Sequence, residues 1–514
     1  MTRRGWAAAI LIAWAASLGW LVRRELFRTT GARLAEAALS VPPGAVYYRL
    51  ELGDQQIGFA SSTVDTAGGA IRVEDMLILE VPALGALLRT TAKSTATLSR
   101  ALRLQQVEAT FDGDIGRFAA HGTVIGDTLL TVLLVSGGGT DSQYTRVPLE
   151  RPIVLPTLLA LRLAFGGNFK PGRTHAIRVF DPLLLTQREV SVTIAAESTL
   201  VTADSADYDS TAMAWVPVHF DTVRAFRIDQ ETDGMRSTAW IDAQGHTVRA
   251  TSPVGFTIQR SAFEIAYENF RRRDTARVAH ASATPRPGDV IAMTAIAAGA
   301  RLRPSGLTEL RVRLHGVDPR GLDLESNQQR FTGDTLVVRR ETRAVLAPRY
   351  TLPATDRALR AFLAPEPLIQ STNPRIRARA KAIIARERDA ARAAELLQRW
   401  VSGHVAKQVT ASVPSAVQVL EQRRGDCNEH TVLYVALARA VGLPARAVAG
   451  LVYLDGRFYY HAWPEVYLGG GWFAVDPTLD QFPADAAHLR FTVGGLARQV
   501  ELVRMIGRVT VEVL

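Results

Sequence analysis

Residues 423–430 read RRGDCNEH, and Cys427 is the sole cysteine in 514 residues. A thiol reacts as its thiolate, so its surroundings decide whether it is a nucleophile. Here Gly425 can end one helix (SAVQVLEQRR) and Asp426 can N-cap the next. Glu429, three residues on, completes a capping-box pattern. Cys427 then takes the first helical position, where free backbone N–H groups and partial positive charge favour a thiolate. The helix runs through TVLYVALARAV and stops at Gly442 and Pro444.

A nucleophile also needs a base and a group that orients the base. ARAVAGLVYL (445–454) reads as a strand, Asp455-Gly456 as a tight turn, and RFYYHAWPEVYL (457–468) as the returning strand. GGG turns the chain again into WFAVDPT (472–478). Centring that turn on Gly469-Gly470 sets His461 opposite Thr478 and Trp463 opposite Asp476. His461 and Trp463 share a face by the period of two, so His461 and Asp476 are diagonal neighbours within hydrogen-bond reach. The order is nucleophile, base, orienter. His430 could share the helix face of Cys427, but no acid matches it and it reads as packing. Trp463 and Trp472 read as core and pocket wall. The backbone N–H of Cys427 is one candidate oxyanion donor; Trp400 and Gln422 are weaker suggestions for a second.

These residues resemble the transglutaminase-like superfamily, which is related in fold to papain-like thiol enzymes. GDCNEH (425–430), RAVGLPAR (439–446), HAWPEV (461–466) and VDPT (475–478) carry the resemblance, over about residues 375–480. It implies that Cys427 is the nucleophile, His461 the general base and acid, and Asp476 the orienter. It also implies a nucleophile helix packed on an antiparallel sheet, and acyl transfer from a peptide or carboxamide. The reading favours hydrolysis of a protein or peptide substrate. A cross-linking transglutaminase stays open, as does a non-catalytic binding protein with a vestigial core.

The remaining elements must hold this constellation. The expected architecture is multidomain: an N-terminal transmembrane helix, mostly antiparallel β domains, then an α+β transglutaminase-like core. Residues 45–275 alternate apolar and polar between Gly/Asp turns, the texture of an antiparallel sheet, sandwich or half-barrel. Its histidines (121, 175, 219 and 246) stand alone. A hydrophobic concave sheet that binds a ligand is one reading of this region; a structural spacer or docking module is the favoured one. PIVLPTLLALRLAF (152–165) reads as core. Residues 270–289 read as a linker, 288–350 as a small β module, 360–480 as the catalytic domain and 481–514 as an extension ending in a strand. PRIRARAKAIIARERDAARAAELLQRWVSGHV (374–405) reads as one long helix.

Residues 5–22, GWAAAILIAWAASLGWLV, carry no charge and would rise about 27 Å as a helix, enough to span a bilayer. Trp6 and Trp20 sit near its ends. This reads as a single-pass anchor followed by a helical stalk over 23–44, with the body on the periplasmic side of an inner membrane. A cleaved signal peptide is the alternative. Arginines flank both ends, so charge does not fix the orientation. The net charge of +10 is almost all arginine, since lysine occurs only at 93, 170, 381 and 407. These arginines are scattered and not interleaved with aromatics, which argues against a nucleic-acid partner. One cysteine rules out an intramolecular disulfide and a multi-cysteine zinc site. No metal or cofactor is expected.

Overall fold

The computed structural model describes residues 41–278, 294–342, 350–410, 415–495, 502 and 509–514, with short breaks at some loops. The apolar run at 5–22 and most of the stalk lie outside the described residues. Among the described residues no helix is long and apolar enough to cross a membrane.

The first half is one open antiparallel sheet of fourteen strands. They are β1 (Gly44–Leu52), β2 (Gln55–Asp65), β3 (Ile71–Ala83), β4 (Ala86–Leu98), β5 (Leu104–Gly113), β6 (Gly116–Ile125), β7 (Leu129–Ser136), β8 (Asp141–Pro148), β9 (Thr174–Asp181), β10 (Thr186–Asp209), β11 (Ala214–Thr232), β12 (Met235–Asp242), β13 (Thr247–Thr251) and β14 (Phe256–Ser261). Each run from β1 to β8 and from β9 to β14 is a simple meander, and β1 pairs with β14 to join the two. Of the sheet, sandwich and half-barrel expected, the structure has the single sheet. The run at 152–165 is core, as its apolar density predicts. It forms the short helix α1 (Leu159–Phe165), led in by a 3₁₀ turn at Pro156–Leu158. Leu158 and Leu161 join the cluster of β3–β7, while Leu159 and Leu163 join that of β9–β12. The space left beside α1 and Leu98 is about 10 Å³, room for one water and too small for an apolar ligand.

One expectation for the linking segments is corrected. The linker reading at 270–289 begins as helix α2 (Asn269–Val278). The stretch 288–350 supplies three strands of a small four-stranded sheet, and that sheet shares a core with the C-terminal half. Its strands β15 (Ile296–Ala297), β16 (Glu309–His315), β17 (Gln329–Thr332) and β18 (Thr335–Arg339) belong to the C-terminal half, called the catalytic half below because it holds the candidate catalytic residues. β15 adds to the catalytic sheet, and Leu310, Val312, Leu336 and Val338 share a core with Leu451, Phe458, Leu489 and Phe491 of that sheet.

The catalytic half is built round one helix. The long helix expected over 374–405 is two, α3 (Pro374–Ile384) and α4 (Ala390–His404). The break falls at Ala385, which adopts a positive φ of 50°, and Asp389 caps the restart by accepting from the Arg392 N–H. Next come β19 (Ala406–Lys407), α5 (Ala416–Gln422) and β20 (Arg424–Gly425). α6 (Cys427–Ala440) follows and is buried from Glu429 to Arg439; Leu433–Ala438 are fully buried. Such a helix, apolar through its middle, has to be enclosed. α3, α4 and α5 pack round it on one side, and β21 (Ala445–Leu454) and β22 (Arg457–Tyr467) lie on the other. The catalytic sheet runs β15-β22-β21-β24, with β23 (Trp472–Ala474) also on β22 and β24 (His488–Val493) on β21. The last strand, β25 (Thr510–Val513), returns to pair with β16.

The two halves touch at the tip between β5 and β6. Gln418 donates to the Arg117 carbonyl at 3.0 Å, and Arg424 to the Asp114 carbonyl at 2.8 Å. Both donors lie within nine residues of Cys427.

Candidate active site

Asp426 caps α6. Its carboxylate accepts from the N–H groups of Asn428 and Glu429, and the Glu429 carboxylate accepts from the Asp426 N–H at 2.9 Å. This is the capping box expected, with Cys427 as the first helical residue. The role expected for Gly425 is corrected: α5 ends at Gln422, and Arg423 takes the left-handed conformation at φ 52°. Gly425 is required by contact instead. A Cβ there would lie 2.3 Å from the Glu429 Cβ. The side chain that completes the cap occupies the space a larger residue would need.

Cys427 is half-buried, and among the described residues its own N–H has no partner, so that group is free for an oxyanion. The backbone of Ala462, one residue beyond His461, lies against the thiol and lowers its proton affinity. Burial pushes the Cys427 thiol well above its usual range, the Asp426 carboxyl adds to this, and the Ala462 backbone works against it. The helix start alone therefore does not yield the resting thiolate expected from sequence; a base must take the proton. Burial and Glu429 likewise push Asp426 well above the ordinary carboxylate range.

The β22–β23 register is the one inferred from the glycine turn: Tyr467 faces Trp472, Val466 faces Phe473 and Glu465 faces Ala474. The ladder ends there, so His461 and Thr478 do not pair. The diagonal survives. His461 Nε2–H donates to Asp476 Oδ2 at 2.7 Å, with both side chains buried. The Nδ1 nitrogen is left for proton exchange with a thiol. Trp463 lies parallel to the His461 ring, with centroids 6.0 Å apart.

Asp476 divides its two oxygens. Oδ1 accepts from the Thr478 and Leu479 N–H groups and so shapes the loop that follows. Oδ2 serves His461 and a residue sequence reasoning missed. His488 Nε2–H donates to the same Oδ2 at 3.0 Å, and its Nδ1–H donates to Asp485 Oδ1 at 3.0 Å. Burial would raise the Asp476 carboxyl, but the two histidines outweigh it and hold the group well below the usual carboxylate range. One ligand atom from each of His461, Asp476 and His488 lies within 4.8 Å of the others. Both rings already spend those nitrogens in hydrogen bonds to Asp476, so the trio is arranged to hold protons.

His430 faces two carbonyls, Asp426 O at 2.7 Å and Val405 O at 3.2 Å, and is buried as a packing residue. Trp400 stacks on His404 under Arg379, and Gln422 is exposed at the end of α5. None of these contacts involves Cys427. Trp472 carries the Arg446 guanidinium 4.1 Å from its ring. Among the described residues, Asn428 Oδ1, Tyr460 OH and Thr478 Oγ1, each within two residues in sequence of Cys427, His461 or Asp476, are buried without a partner.

Residues 377–477 match the family profile described as the transglutaminase-like superfamily. Among solved structures, the chain is similar to a candidate cysteine protease from Cytophaga hutchinsonii, at 19% identity and a TM-score of 0.27. That match covers 40% of this chain and 82% of the other. A family protein from Pseudomonas aeruginosa matches at 12% identity and a TM-score of 0.18, over 42% of this chain and 93% of the other. A candidate protease from Parabacteroides distasonis matches at 9% identity and a TM-score of 0.18, over 74% and 69%. No curated protein matches the chain.

Proposed function

We propose that this chain, which carries a transglutaminase-like domain at residues 377–477, is a thiol acyl-transfer enzyme that hydrolyses peptide or amide bonds. The observation that carries the reading is the 2.7 Å His461–Asp476 hydrogen bond on β22, the strand packed against the helix that Cys427 begins. His461 takes the thiol proton as the sulfur attacks a carbonyl carbon, and the Cys427 N–H meets the developing oxyanion. His461 then returns the proton to the leaving amine, and water releases the acyl group. Asp476 fixes the tautomer of His461 and stabilises its imidazolium.

We further propose that the chain is anchored in an inner membrane with its body periplasmic; the uncharged run at 5–22, long enough to span a bilayer, supports the anchor. Alkaline carbonate extraction tests this; full-length protein released to the supernatant would contradict it.

An electrophilic peptide probe followed by mass spectrometry tests the chemistry. The adduct is expected on Cys427 and absent in His461→Ala. Cys427→Ala is expected to lose all turnover with its fold intact. Retained turnover in that variant rules out the thiol mechanism. With an amine acceptor present, a free acid product supports hydrolysis, whereas an amine-linked product identifies a cross-linking enzyme.

A further inference from the structure

We propose that His488 is a positioning residue of this site: clamped between Asp476 and Asp485, it fixes the orientation and the effective charge of the triad acid, and so sets the proton balance of His461 and Cys427. This rests on the reading of those residues as thiol, base and acid.

The geometry is specific to the acid. His488 bonds to Oδ2, the oxygen that His461 uses, and not to Oδ1. Its other nitrogen bonds to Asp485, which is itself fixed: Oδ1 accepts from the Ala487 N–H at 2.9 Å and Oδ2 from the Gln481 amide at 2.8 Å. With a carboxylate oxygen against each ring nitrogen, both nitrogens must carry hydrogen, which makes the ring an imidazolium. A neutral ring would set a lone pair against a buried anion. The side chain is fully buried. The groups facing it are Asp476 and Asp485 from the loop, and His461 and Trp463 from β22, with ring centroids at 6.0 and 5.1 Å. Burial favours the neutral ring, yet the two carboxylates outweigh it and raise the group to about 9.

The charge count gives the purpose. Two carboxylates against His488 leave one negative charge, which the His461 imidazolium cancels. Without His488 that negative charge doubles. Removing a buried positive charge about 6 Å from His461 raises the proton affinity of every neighbouring group, on the order of one pH unit.

The test is the rate of iodoacetamide alkylation of Cys427 in the full chain between pH 5 and 10. His488→Gln is expected to move the profile upward by about one pH unit and to slow alkylation at pH 7 about tenfold. In an Asp476→Asn background the same change should add no further loss, because His488 acts through that carboxylate. A wild-type profile in His488→Gln, or a double mutant showing the product of both losses, overturns the proposal. Should His461→Ala alkylate like wild type, the thiol–imidazole reading fails instead, and the two failures are read separately. If His488→Gln does not fold, ¹⁵N-histidine spectra of His461→Ala decide. One imidazole doubly protonated at pH 8 is expected, and none would overturn the assignment.

Discussion

At the residue scale the site turns on how one carboxylate is used. Asp476 gives one oxygen to its own loop and the other to two histidines. Asp476→Asn keeps the shape but offers His461 an amide, which can favour the wrong tautomer. We expect turnover to fall about 10²–10⁴-fold, by analogy with the same change in serine proteases. The loss should not add to that of His461→Ala, since the pair acts as a unit; steady-state rates of both single mutants and the double check this. The buried thiol gives a second prediction. Because its proton affinity is raised, the thiolate fraction grows with pH through the neutral range. Alkylation should therefore accelerate steadily from pH 6 to pH 9; a rate flat over that range would mean a thiolate already formed. The Cys427 cap and the His461–Asp476 pair were legible because each sits within one local unit, a cap or a hairpin, where spacing dictates geometry. His488 was not. It reaches Asp476 only because β24 pairs with β21, and nothing local in HLRFTV says so.

At the element scale, positioning depends on close backbone approaches. A Cβ on Gly450 of β21 would lie 1.9 Å from the Leu489 carbonyl oxygen of β24. Gly450→Ala must push β24 away and take His488 with it. We expect a loss of about 1–3 kcal/mol in urea unfolding, with slower turnover; an unchanged midpoint would show that β24 can shift freely. The cap is a second test. Asp426→Ala removes the acceptor for two N–H groups at the nucleophile's own helix turn and should cost about 0.5–2 kcal/mol. The elements themselves were legible to different degrees. The capping box and the β22–β23 register could be read because turn glycines and capping side chains act locally. The interruption at Ala385 could not: alanine is a good helix former, and its positive φ there has no local sequence signal.

At the scale of the whole molecule, the chain folds back on itself. β25, from the last residues, completes the sheet begun by β16, and Val511 is part of the core shared with the catalytic sheet. Truncation after residue 508 should leave one edge of β16 unpaired and lower the melting temperature by several degrees, a result thermal unfolding would report directly. Stability should also depend on pH through His488. Its folded value of about 9 lies above its ordinary 6.5. The protonated ring therefore stabilises the fold fully below about pH 6.5, and the gain, about 3 kcal/mol, is lost as pH rises through 9. His488→Gln should flatten that limb. The boundary between the middle strands and the catalytic half escaped sequence reading because a shared core is a property of tertiary packing. Strand texture alone is the same whether a sheet stands by itself or leans on another.

The contact between the two halves has a bearing on how such a chain can change over generations. Gln418 and Arg424 both donate to main-chain carbonyls of the β5–β6 tip, those of Arg117 and Asp114. Every residue offers the same carbonyl. The length of that tip is therefore constrained whatever side chains it carries: one inserted residue would move both acceptors out of register with their donors, and would disturb the turn that leads into Cys427.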